Sequence, residues 1–423
     1  MSAPTAYVHA DLRGTTHRVG RLWVATARGR ESATFDYEPD WLASDERFAL
    51  DPALQLYPGP FHTRVGQALF GAMGDSAPDR WGRTLLARAE RRRAREENRA
   101  PRAMREIDYL LGVTDETRQG ALRFSKEEEE EEDGPFLAET AGIAIPPIVE
   151  LPRLLTAASN VLDDEETAED LRLLLAPGSS LGGARPKASV RDRDGTLLIA
   201  KFPARSDAYS VVRWEAVALS LARQAGIEVA DARIELVLDR PVLLVRRFDR
   251  VNGHRIPFLS AMSALDADDR DVRSYLDIAD ALRPYGAAVA KDLAALWRRV
   301  VFNVLISNTD DHLRNHAFVY AGRDGWRLSP AYDLNPVPTD VKPRLLSTAI
   351  TEDLDVTASL ELALETAAYF GVTADAARMG VAEVFAAVRG WRKEAARFGI
   401  GAAEIERMST AFEHEDAVAA GTM

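Results

Sequence analysis

An apolar helical pattern that leads directly into a dense polar segment limits the possible folds of this chain more than any other feature. The polar segment, residues 308–315, is followed by a strand-like run at Ala317–Tyr320. The sequence therefore predicts a helical core whose central helix ends in a polar loop. Six apolar residues before the loop recur at helical spacing and predict the buried side of that helix: Leu293, Leu296, Trp297, Val300, Val301 and Val304.

Asp310 and Asn315 within this loop have the D-x-x-x-x-N spacing of a kinase catalytic loop. In that chemistry the aspartate accepts or orients the proton of the substrate hydroxyl, and the asparagine binds Mg²⁺. His312 lies between them, and we group it with Asp310 as a candidate catalytic residue. The spacing is common by chance, so a polar turn that caps a helix also explains it when it is taken alone.

A second magnesium ligand is expected at Asp333, which follows Asn315 by 18 residues and a short predicted strand. One carboxylate and one amide on neighbouring segments can hold the metal between phosphates. The alternative interpretation is an ordinary aspartate in a turn before Pro336.

Residues 178–187 form a glycine-rich segment, and such backbone can approach a phosphate closely. The segment matches neither the G-x-x-x-x-G-K-[ST] loop nor the G-x-G-x-x-G run, so an ordinary flexible turn stays an alternative. The candidate phosphate ligands are Ser180, Gly182, Gly183 and Lys187.

Lys201 lies in an apolar strand, where its ammonium group needs a partner. A kinase lysine in such a strand contacts the phosphates and pairs with a glutamate of the following helix. Glu215, 14 residues later in a predicted helix, is the candidate partner. The alternative is a lysine that extends from an edge strand into solvent.

The last predicted strand before the helical region ends in residues 245–250, where a nucleotide-binding hinge would lie. Phe248 is expected to help hold an adenine ring, and Asp249 is expected to bond the ribose hydroxyls. Each of these five elements, taken alone, is weak evidence for a kinase. Their occurrence in one order along the chain favours an enzyme that uses ATP and Mg²⁺.

Strand-like runs dominate residues 6–42 and helical patterns dominate the chain beyond residue 265, which indicates an α+β protein. Between these regions, a polar Asp194-Gly195 turn is predicted to join two strands, and Pro241 is predicted to lie between two later strands. We expect a β-rich N-terminal subdomain and then a two-lobed fold with a mostly helical C-terminal lobe. Six consecutive glutamates after Lys126 predict a solvated loop, because like charges repel each other. The predicted domains are an N-terminal subdomain (1–134), a connector (135–147), a nucleotide-binding lobe (148–262) and a helical catalytic lobe (263–423).

Composition excludes several classes of function. The chain of 423 residues contains no cysteine, which excludes disulfides, zinc–thiolate sites and a cysteine nucleophile. No apolar run approaches the ~18 residues of a membrane span, and residues 1–13 lack the pattern of a signal peptide, so we expect a cytoplasmic protein. The net charge of −13 argues against direct binding of DNA or RNA and leaves DNA contact through a partner.

Together these segments resemble the HipA family of serine/threonine protein kinases, the toxins of bacterial toxin–antitoxin pairs. The resemblance covers most of the chain and implies a protein-kinase-like fold. Its most specific part is the run 309–315 with the later Tyr332 and Asp333. The other matching segments are 180–187, 199–201, Glu215 and 247–250, and residues 74–82 resemble the first subdomain of the family.

The resemblance also implies partners and residue roles. A small helix-turn-helix antitoxin is the implied partner, and DNA is contacted only through it. The best-known target of the family is an aminoacyl-tRNA synthetase, and this sequence does not identify its own protein substrate. The implied roles are a catalytic base at Asp310, magnesium ligands at Asn315 and Asp333, a phosphate-binding lysine at Lys201, backbone contacts to adenine at Arg246 and Phe248, a ribose contact at Asp249 and autophosphorylation at Ser180.

The chain departs from the family pattern at two positions. Arg246 stands where the family often has glutamate, a change that preserves a backbone contact to adenine and removes a side-chain contact. Asp311 stands where the family often has glycine. We expect this additional carboxylate, near bound phosphates, to bind a counter-ion or to slow the reaction.

Two other functions stay open. A kinase fold without strong activity could serve as a subunit of an antitoxin–DNA repressor complex, but Asp310, Asn315, Asp333 and Lys201 are all present, which favours an enzyme. Antibiotic and sugar kinases share the D-x-x-x-x-N loop, so the second alternative is a small-molecule phosphotransferase. Only the resemblance around Ser180 and in the N-terminal region favours a protein substrate.

Overall fold

The computed structural model describes residues 3–126, 136, 145–175 and 183–423. Helices and strands both contribute to it, which confirms the predicted α+β class. The six glutamates, Ser180 and Gly182 lie outside the described residues. The chain divides into two compact units, the first comprising 1–205, 237–239 and 246–259, and the second comprising 206–236, 240–245 and 260–423.

The described residues form strands and helices along the whole chain. The strands are β1 (Ala6–Leu12), β2 (Thr15–Ala27), β3 (Arg30–Tyr37), β4 (Phe61–His62), β5 (Leu122–Ser125), β6 (Lys187–Arg191), β7 (Leu197–Lys201), β8 (Ala232–Val237), β9 (Arg240–Arg246), β10 (Arg250–Val251), β11 (His254–Arg255), β12 (Phe258–Ser260), β13 (Ala317–Tyr320) and β14 (Trp326–Leu328). The helices are α1 (Pro39–Ala43), α2 (Gly71–Asp75), α3 (Arg80–Glu96), α4 (Glu106–Leu111), α5 (Leu151–Leu162), α6 (Ala168–Leu175), α7 (Val211–Gln224), α8 (Ala261–Ala264), α9 (Tyr275–Leu282), α10 (Val289–Leu305), α11 (Leu360–Glu365), α12 (Ala374–Val388), α13 (Trp391–Arg397), α14 (Ala402–Phe412) and α15 (Glu415–Ala420).

The N-terminal part of the first unit is an antiparallel sheet with the strand order β4-β3-β2-β1-β5. Alternate residues of its strands face a core, which is why Val8, Leu22, Phe35 and Phe124 are fully buried. The register of β1 and β2 shifts after Val8. The strands predicted within residues 6–42 are therefore confirmed.

A hairpin of β6 and β7 also belongs to the first unit. Its turn contains Gly195 with φ +86°, a left-handed backbone conformation that favours glycine. The hairpin predicted at Asp194-Gly195 is confirmed. The next turn differs from the prediction, because Leu238 and Asp239 take positive φ values and Pro241 lies inside β9 rather than between the strands.

The core of the second unit forms around α10. The six apolar residues that predicted this helix are each at most 3% exposed, so the prediction is confirmed. Trp297 of α10 also donates a hydrogen bond from Nε1 to the carbonyl oxygen of Ala363, at 2.7 Å. Helices α11 to α15 follow, in agreement with the helical pattern predicted beyond residue 265. Among the described residues, no helix has both the length and the apolar character needed to cross a membrane.

Candidate active site

The loop after α10 is shaped by side-chain amides at the end of the helix. Asn308 donates from Nδ2 to Oδ1 of Asn303, at 3.1 Å, and its backbone amide bonds the Asn303 carbonyl oxygen. Ser307 takes a positive φ of 51°, which turns the chain out of the helix. Because Asn303 and Asn308 are fully buried, the start of the loop is fixed within the core of the second unit.

The loop brings Asp310 and Asn315 onto one compact turn. The backbone oxygen of Asp310 accepts hydrogen bonds from the amide of His312, at 2.9 Å, and from Nδ2 of Asn315, at 3.2 Å. Asp310 is exposed, whereas Asn315 is buried in a short 3-10 turn, Leu313–Asn315. An exposed carboxylate beside an anchored amide suits the two roles that the sequence predicted for them.

The segment around Asp333 is bonded to this loop at three points. The Tyr332 hydroxyl donates to the carbonyl oxygen of Arg314, at 2.6 Å. The amide of Asn335 donates to Oδ1 of Asn308, at 3.3 Å, and the amide of Val337 bonds the Ser307 carbonyl oxygen. Asp333 takes a left-handed φ of 56°, and its Oδ1 accepts from Nδ2 of Asn335, at 3.5 Å. The structure therefore holds the segment of Asp333 against the loop that carries Asp310 and Asn315.

These residues fit a magnesium ion by donor type. Mg²⁺ prefers oxygen ligands and is commonly held by one or two protein groups together with phosphates and water. Asn315 and Asp333 offer an amide and a carboxylate oxygen. No cluster of three or more His, Cys, Asp or Glu side chains suited to a metal occurs among the described residues, so phosphates and water would complete the coordination.

Three buried polar atoms near the loop have no hydrogen-bond partner among the described residues, namely Thr309 Oγ1, His312 Nδ1 and Asn335 Oδ1.

Asp311 occupies a different position from the one expected. Its side chain is 1% exposed, and its Oδ2 accepts hydrogen bonds from the Tyr275 hydroxyl at 2.6 Å, from Asn303 Nδ2 at 2.8 Å and from His316 Nε2 at 2.6 Å. Burial alone would raise the pKa of Asp311, but the neighbouring His316 and the hydroxyl of Tyr275 hold that pKa below its usual value. The carboxylate is thus engaged inside the protein and does not face a solvent counter-ion.

A segment from Lys342 to Thr348 also bonds the backbone of the loop, and no sequence motif indicated this contact. Lys342 Nζ and Ser347 Oγ both donate to the carbonyl oxygen of Thr309, at 2.8 and 2.9 Å. The Thr348 hydroxyl donates to the carbonyl oxygen of Asp311, at 2.6 Å. These contacts fix the backbone on both sides of Asp310.

In the first unit, the structure places Lys187 and Lys201 opposite each other on β6 and β7. Lys187 is 3% exposed and its Nζ bonds Oδ2 of Asp79, at 2.6 Å, and the carbonyl oxygen of Gly183, at 3.1 Å. Asp79 also caps the start of α3 by accepting from the amide of Gly82. The two predicted phosphate ligands are therefore neighbours, and the charge of Lys187 is balanced by an aspartate that the sequence did not single out.

The partner proposed for Lys201 lies on the other unit. Glu215 is 3% exposed in α7, and Lys201 is half-buried at the end of β7. Both side chains have further interactions within the protein. Their pairing stays a prediction.

The predicted hinge contains a cluster of bonded charges. Arg246 is exposed, Phe248 is half-buried and Asp249 is 3% exposed. Arg247 donates to both oxygens of Asp249, at 2.8 and 2.6 Å, and Arg250 and the amide of Gly120 donate to Oδ2. A ribose contact would have to share a carboxylate that already accepts four hydrogen bonds, so this role of Asp249 stays a prediction.

The buried charges of this cluster also connect the hinge to residues 115–120. Arg247 donates to the carbonyl oxygen of Thr117, at 2.6 Å. Arg255 Nη2 donates to the backbone oxygen of Asp115, at 2.6 Å, and to the carboxylate oxygen Oδ2 of Asp115, at 3.0 Å. Burial would raise the pKa of Asp249, but the guanidinium groups of Arg247 and Arg250 lower it well below its usual range. The sequence motif around Asp249 indicated a ligand contact, whereas these contacts could only be found from the tertiary structure.

Comparison with known proteins places the chain in one family. Residues 11–123 match the model of the HipA N-terminal domain, and residues 179–391 match the model of the HipA-like C-terminal domain. Two proteins of Sinorhizobium fredii are related in sequence. "Putative kinase Y4mE" is 28% identical over 181 residues, and "Putative kinase Y4dM" is 31% identical over 156 residues. These alignments span 37% and 33% of this chain, and 41% and 37% of the two relatives.

A solved structure shares the fold. A chain from the Shewanella oneidensis MR-1 toxin–antitoxin complex of HipA, HipB and operator DNA superposes with a TM-score of 0.67, although the two sequences are 17% identical. The superposition covers 98% of this chain and 96% of the other. Since the C-terminal domain model alone spans half of the sequence and the N-terminal model covers a further large part, the chain belongs to the HipA family.

Proposed function

We propose that the chain is an ATP- and Mg²⁺-dependent serine/threonine protein kinase that transfers the γ-phosphate of ATP to a protein hydroxyl. The observation that carries the proposal is the turn that exposes Asp310 beside the anchored Asn315, with the Asp333 segment bonded to it. That set matches the base and the two metal ligands of phosphoryl transfer.

The proposed chemistry divides the work between these residues. Asp310 accepts the proton of the substrate hydroxyl, and its exposure leaves the carboxylate accessible to an incoming protein segment. Asn315 and Asp333 hold Mg²⁺, which when bound would neutralise negative charge on the phosphates. The remaining proposed ligands of ATP are Ser180, Gly182, Gly183, Lys187 and Lys201 at the phosphates, Glu215 as the partner of Lys201, Arg246 and Phe248 at adenine, and Asp249 at the ribose, with His312 beside the base.

The direct test measures phosphate transfer from labelled ATP with Mg²⁺, with and without a cell extract as a source of substrate. Asp310→Asn should lower turnover by about 10²- to 10⁴-fold while nucleotide binding is kept, because the base acts on the acceptor hydroxyl. Asp333→Ala should instead weaken binding of Mg·ATP. Near-normal turnover in Asp310→Asn would overturn the assignment of the base, and unchanged Mg·ATP affinity in Asp333→Ala would overturn the metal role.

A small helix-turn-helix antitoxin is the proposed partner, and DNA would be bound through it. Two observations support this partner: the net charge of −13 disfavours direct DNA binding, and the structural neighbour comes from a complex with HipB and operator DNA. The protein substrate belongs to the cytoplasm, where ATP is available, and a translation component such as an aminoacyl-tRNA synthetase is the first candidate. Gentle affinity purification from the native cell should recover a small DNA-binding protein, and its absence would count against the partner.

Autophosphorylation of Ser180 is the proposed form of self-limitation. A phosphoryl group there would add about −1.5 to −2 charges next to the glycines proposed to contact the triphosphate, and like charges repel strongly where screening is weak. Mass spectrometry after incubation with Mg·ATP should find phosphate on Ser180 in the wild type and none in Asp310→Asn. An unmodified Ser180 in an active enzyme would exclude the site, and full ATP affinity after modification would exclude the inhibition.

A further inference from the structure

We propose that Asp311 is a positioning residue of the active site, whose buried carboxylate holds the loop that carries Asp310 and Asn315. The inference deepens the proposed kinase function and rests on it. It replaces the expectation that the carboxylate of Asp311 acts on bound phosphates.

The first argument is the origin of the three donors around the carboxylate. Tyr275 comes from the start of α9, Asn303 from the last turns of α10, and His316 from the residue directly after the loop. One oxygen atom, Asp311 Oδ2, therefore joins the segment before the loop, the segment after it and a separate helix. A contact of this kind restrains both ends of the loop at once.

The second argument is charge. An ionised carboxylate accepts hydrogen bonds and donates none, so it matches three donors without a conflict. Burial penalises such a charge unless it is well bonded, and the three bonds of Asp311, between 2.6 and 2.8 Å, meet that condition. With glycine at this position the same donors of Tyr275, Asn303 and His316 would lose their acceptor. The network is therefore adapted to a carboxylate.

The third argument is the short covalent and hydrogen-bonded path to the proposed catalytic groups. Asp311 directly follows Asp310, and its own carbonyl oxygen accepts from Thr348, at 2.6 Å. Asn315 is in turn bonded to the carbonyl oxygen of Asp310. Release of the Asp311 side chain would therefore move the base and a metal ligand together. A displacement of about 1 Å in such groups costs roughly 10²-fold in rate.

The test compares two buried carboxylates of the second unit. Asp292 on α10 is 3% exposed and bonds Arg327 at 2.7 and 2.9 Å, so Asp292→Asn also removes a buried charge and serves as the matched control for Asp311→Asn. The measurements are kcat, KM, the affinity for Mg·ATP and amide hydrogen exchange of residues 308–316. All are made at a temperature where both variants are folded.

We expect Asp311→Asn to lower kcat by about 10²-fold, to weaken Mg·ATP binding because Asn315 moves with the loop, and to raise amide hydrogen exchange in residues 308–316. Asp292→Asn should keep the wild-type kcat and the wild-type amide hydrogen exchange of residues 308–316. Wild-type kcat or unchanged loop exchange in Asp311→Asn overturns the positioning role, as does an equal loss of kcat in both variants.

The two proposals fail in different ways. A folded wild type that transfers no phosphate to any component of a cell extract would overturn the kinase function. The exchange experiment needs no turnover, so loop protection that depends on Asp311 and not on Asp292 would still be measured in that case. Conversely, if the wild type transfers phosphate and Asp311→Asn keeps the wild-type kcat and loop exchange, only the positioning role is rejected.

Discussion

Asp249 and Asp311 are both almost completely buried, and the two units surround them with different donors. In the first unit, Asp249 is bonded by the guanidinium groups of Arg247 and Arg250 and by one backbone amide. In the second unit, Asp311 is bonded by the neutral hydroxyl of Tyr275, the neutral amide of Asn303 and the ring of His316.

This difference indicates different uses of a buried charge. Arginine keeps its charge throughout the accessible pH range, so removal of Asp249 leaves uncompensated cations in the interior. The donors to Asp311 include neutral groups that tolerate its loss better, and their importance lies in the geometry of one loop. We therefore expect the first carboxylate to matter mainly for stability and the second mainly for rate.

The largest expected effect on stability is that of Asp249→Ala. The substitution should lower the free energy of unfolding by about 3–5 kcal/mol, because Arg247 and Arg250 lose their buried counter-charge. Urea denaturation at pH 7 measures the change. The exposed residue Asp324 provides the control, and Asp324→Ala should stay within about 0.5 kcal/mol of the wild type. A loss below about 1 kcal/mol for Asp249→Ala would contradict the claim that the Asp249 carboxylate matters mainly for stability.

A separate effect on stability is expected from acid, and it should involve one partly buried histidine in each unit. Burial, aided by nearby arginines, lowers the pKa of His9 and of His414 to about 4. Both values lie below the unfolded value of about 6.5, so the unfolded chain binds more protons and stability falls as the pH drops from about 6.5 to about 4. Each histidine should contribute a slope of up to about 1.4 kcal/mol per pH unit in that range.

The double variant His9→Gln, His414→Asn tests this pH dependence. Its free energy of unfolding should change less between pH 7 and pH 5 than that of the wild type, since the carboxylates with lowered pKa values titrate at more acid pH. An identical loss in both proteins would show that other groups cause the acid sensitivity.

Asp311→Asn should destabilise the protein less than Asp249→Ala does. We expect a loss of about 1–3 kcal/mol, because asparagine carries no negative charge and has one acceptor oxygen for the three donors. Denaturation of the two variants under one set of conditions gives the comparison directly. If Asp311→Asn proves the more destabilising, the proposed division between stability and rate is wrong.

The smallest effect is expected at an ion pair on the surface of the second unit. Arg392 bonds both oxygens of Glu413, at 2.7 and 2.9 Å, but both side chains are substantially exposed. Glu413→Gln should cost about 0.2–1 kcal/mol, and the cost should shrink at high salt because the pair is screened. A salt-independent loss larger than that of Asp311→Asn would contradict the role assigned to burial.

Local patterns predicted much of the fold. The strand-like runs in residues 6–42, the Asp194-Gly195 turn and the helical spacing around Trp297 each predicted an element that the structure confirms. Such patterns are set by neighbours a few residues apart, where side-chain direction follows directly from the backbone. The turn at Leu238 and Asp239 was missed, because non-glycine residues with positive φ give no clear signal in a single sequence.

The sequence by itself determined the α+β class, the family resemblance and the pair Asp310 and Asn315, whose five-residue spacing fits one turn. Only the tertiary structure decided that Asp333 lies against that turn, that Lys187 is paired with Asp79, and that Asp311 faces the core. The partners in these contacts are separated by 18 to 108 residues along the chain or approach from different helices. Such contacts depend on how the elements pack, and burial and charge balance then determine which partner each ionised side chain finds.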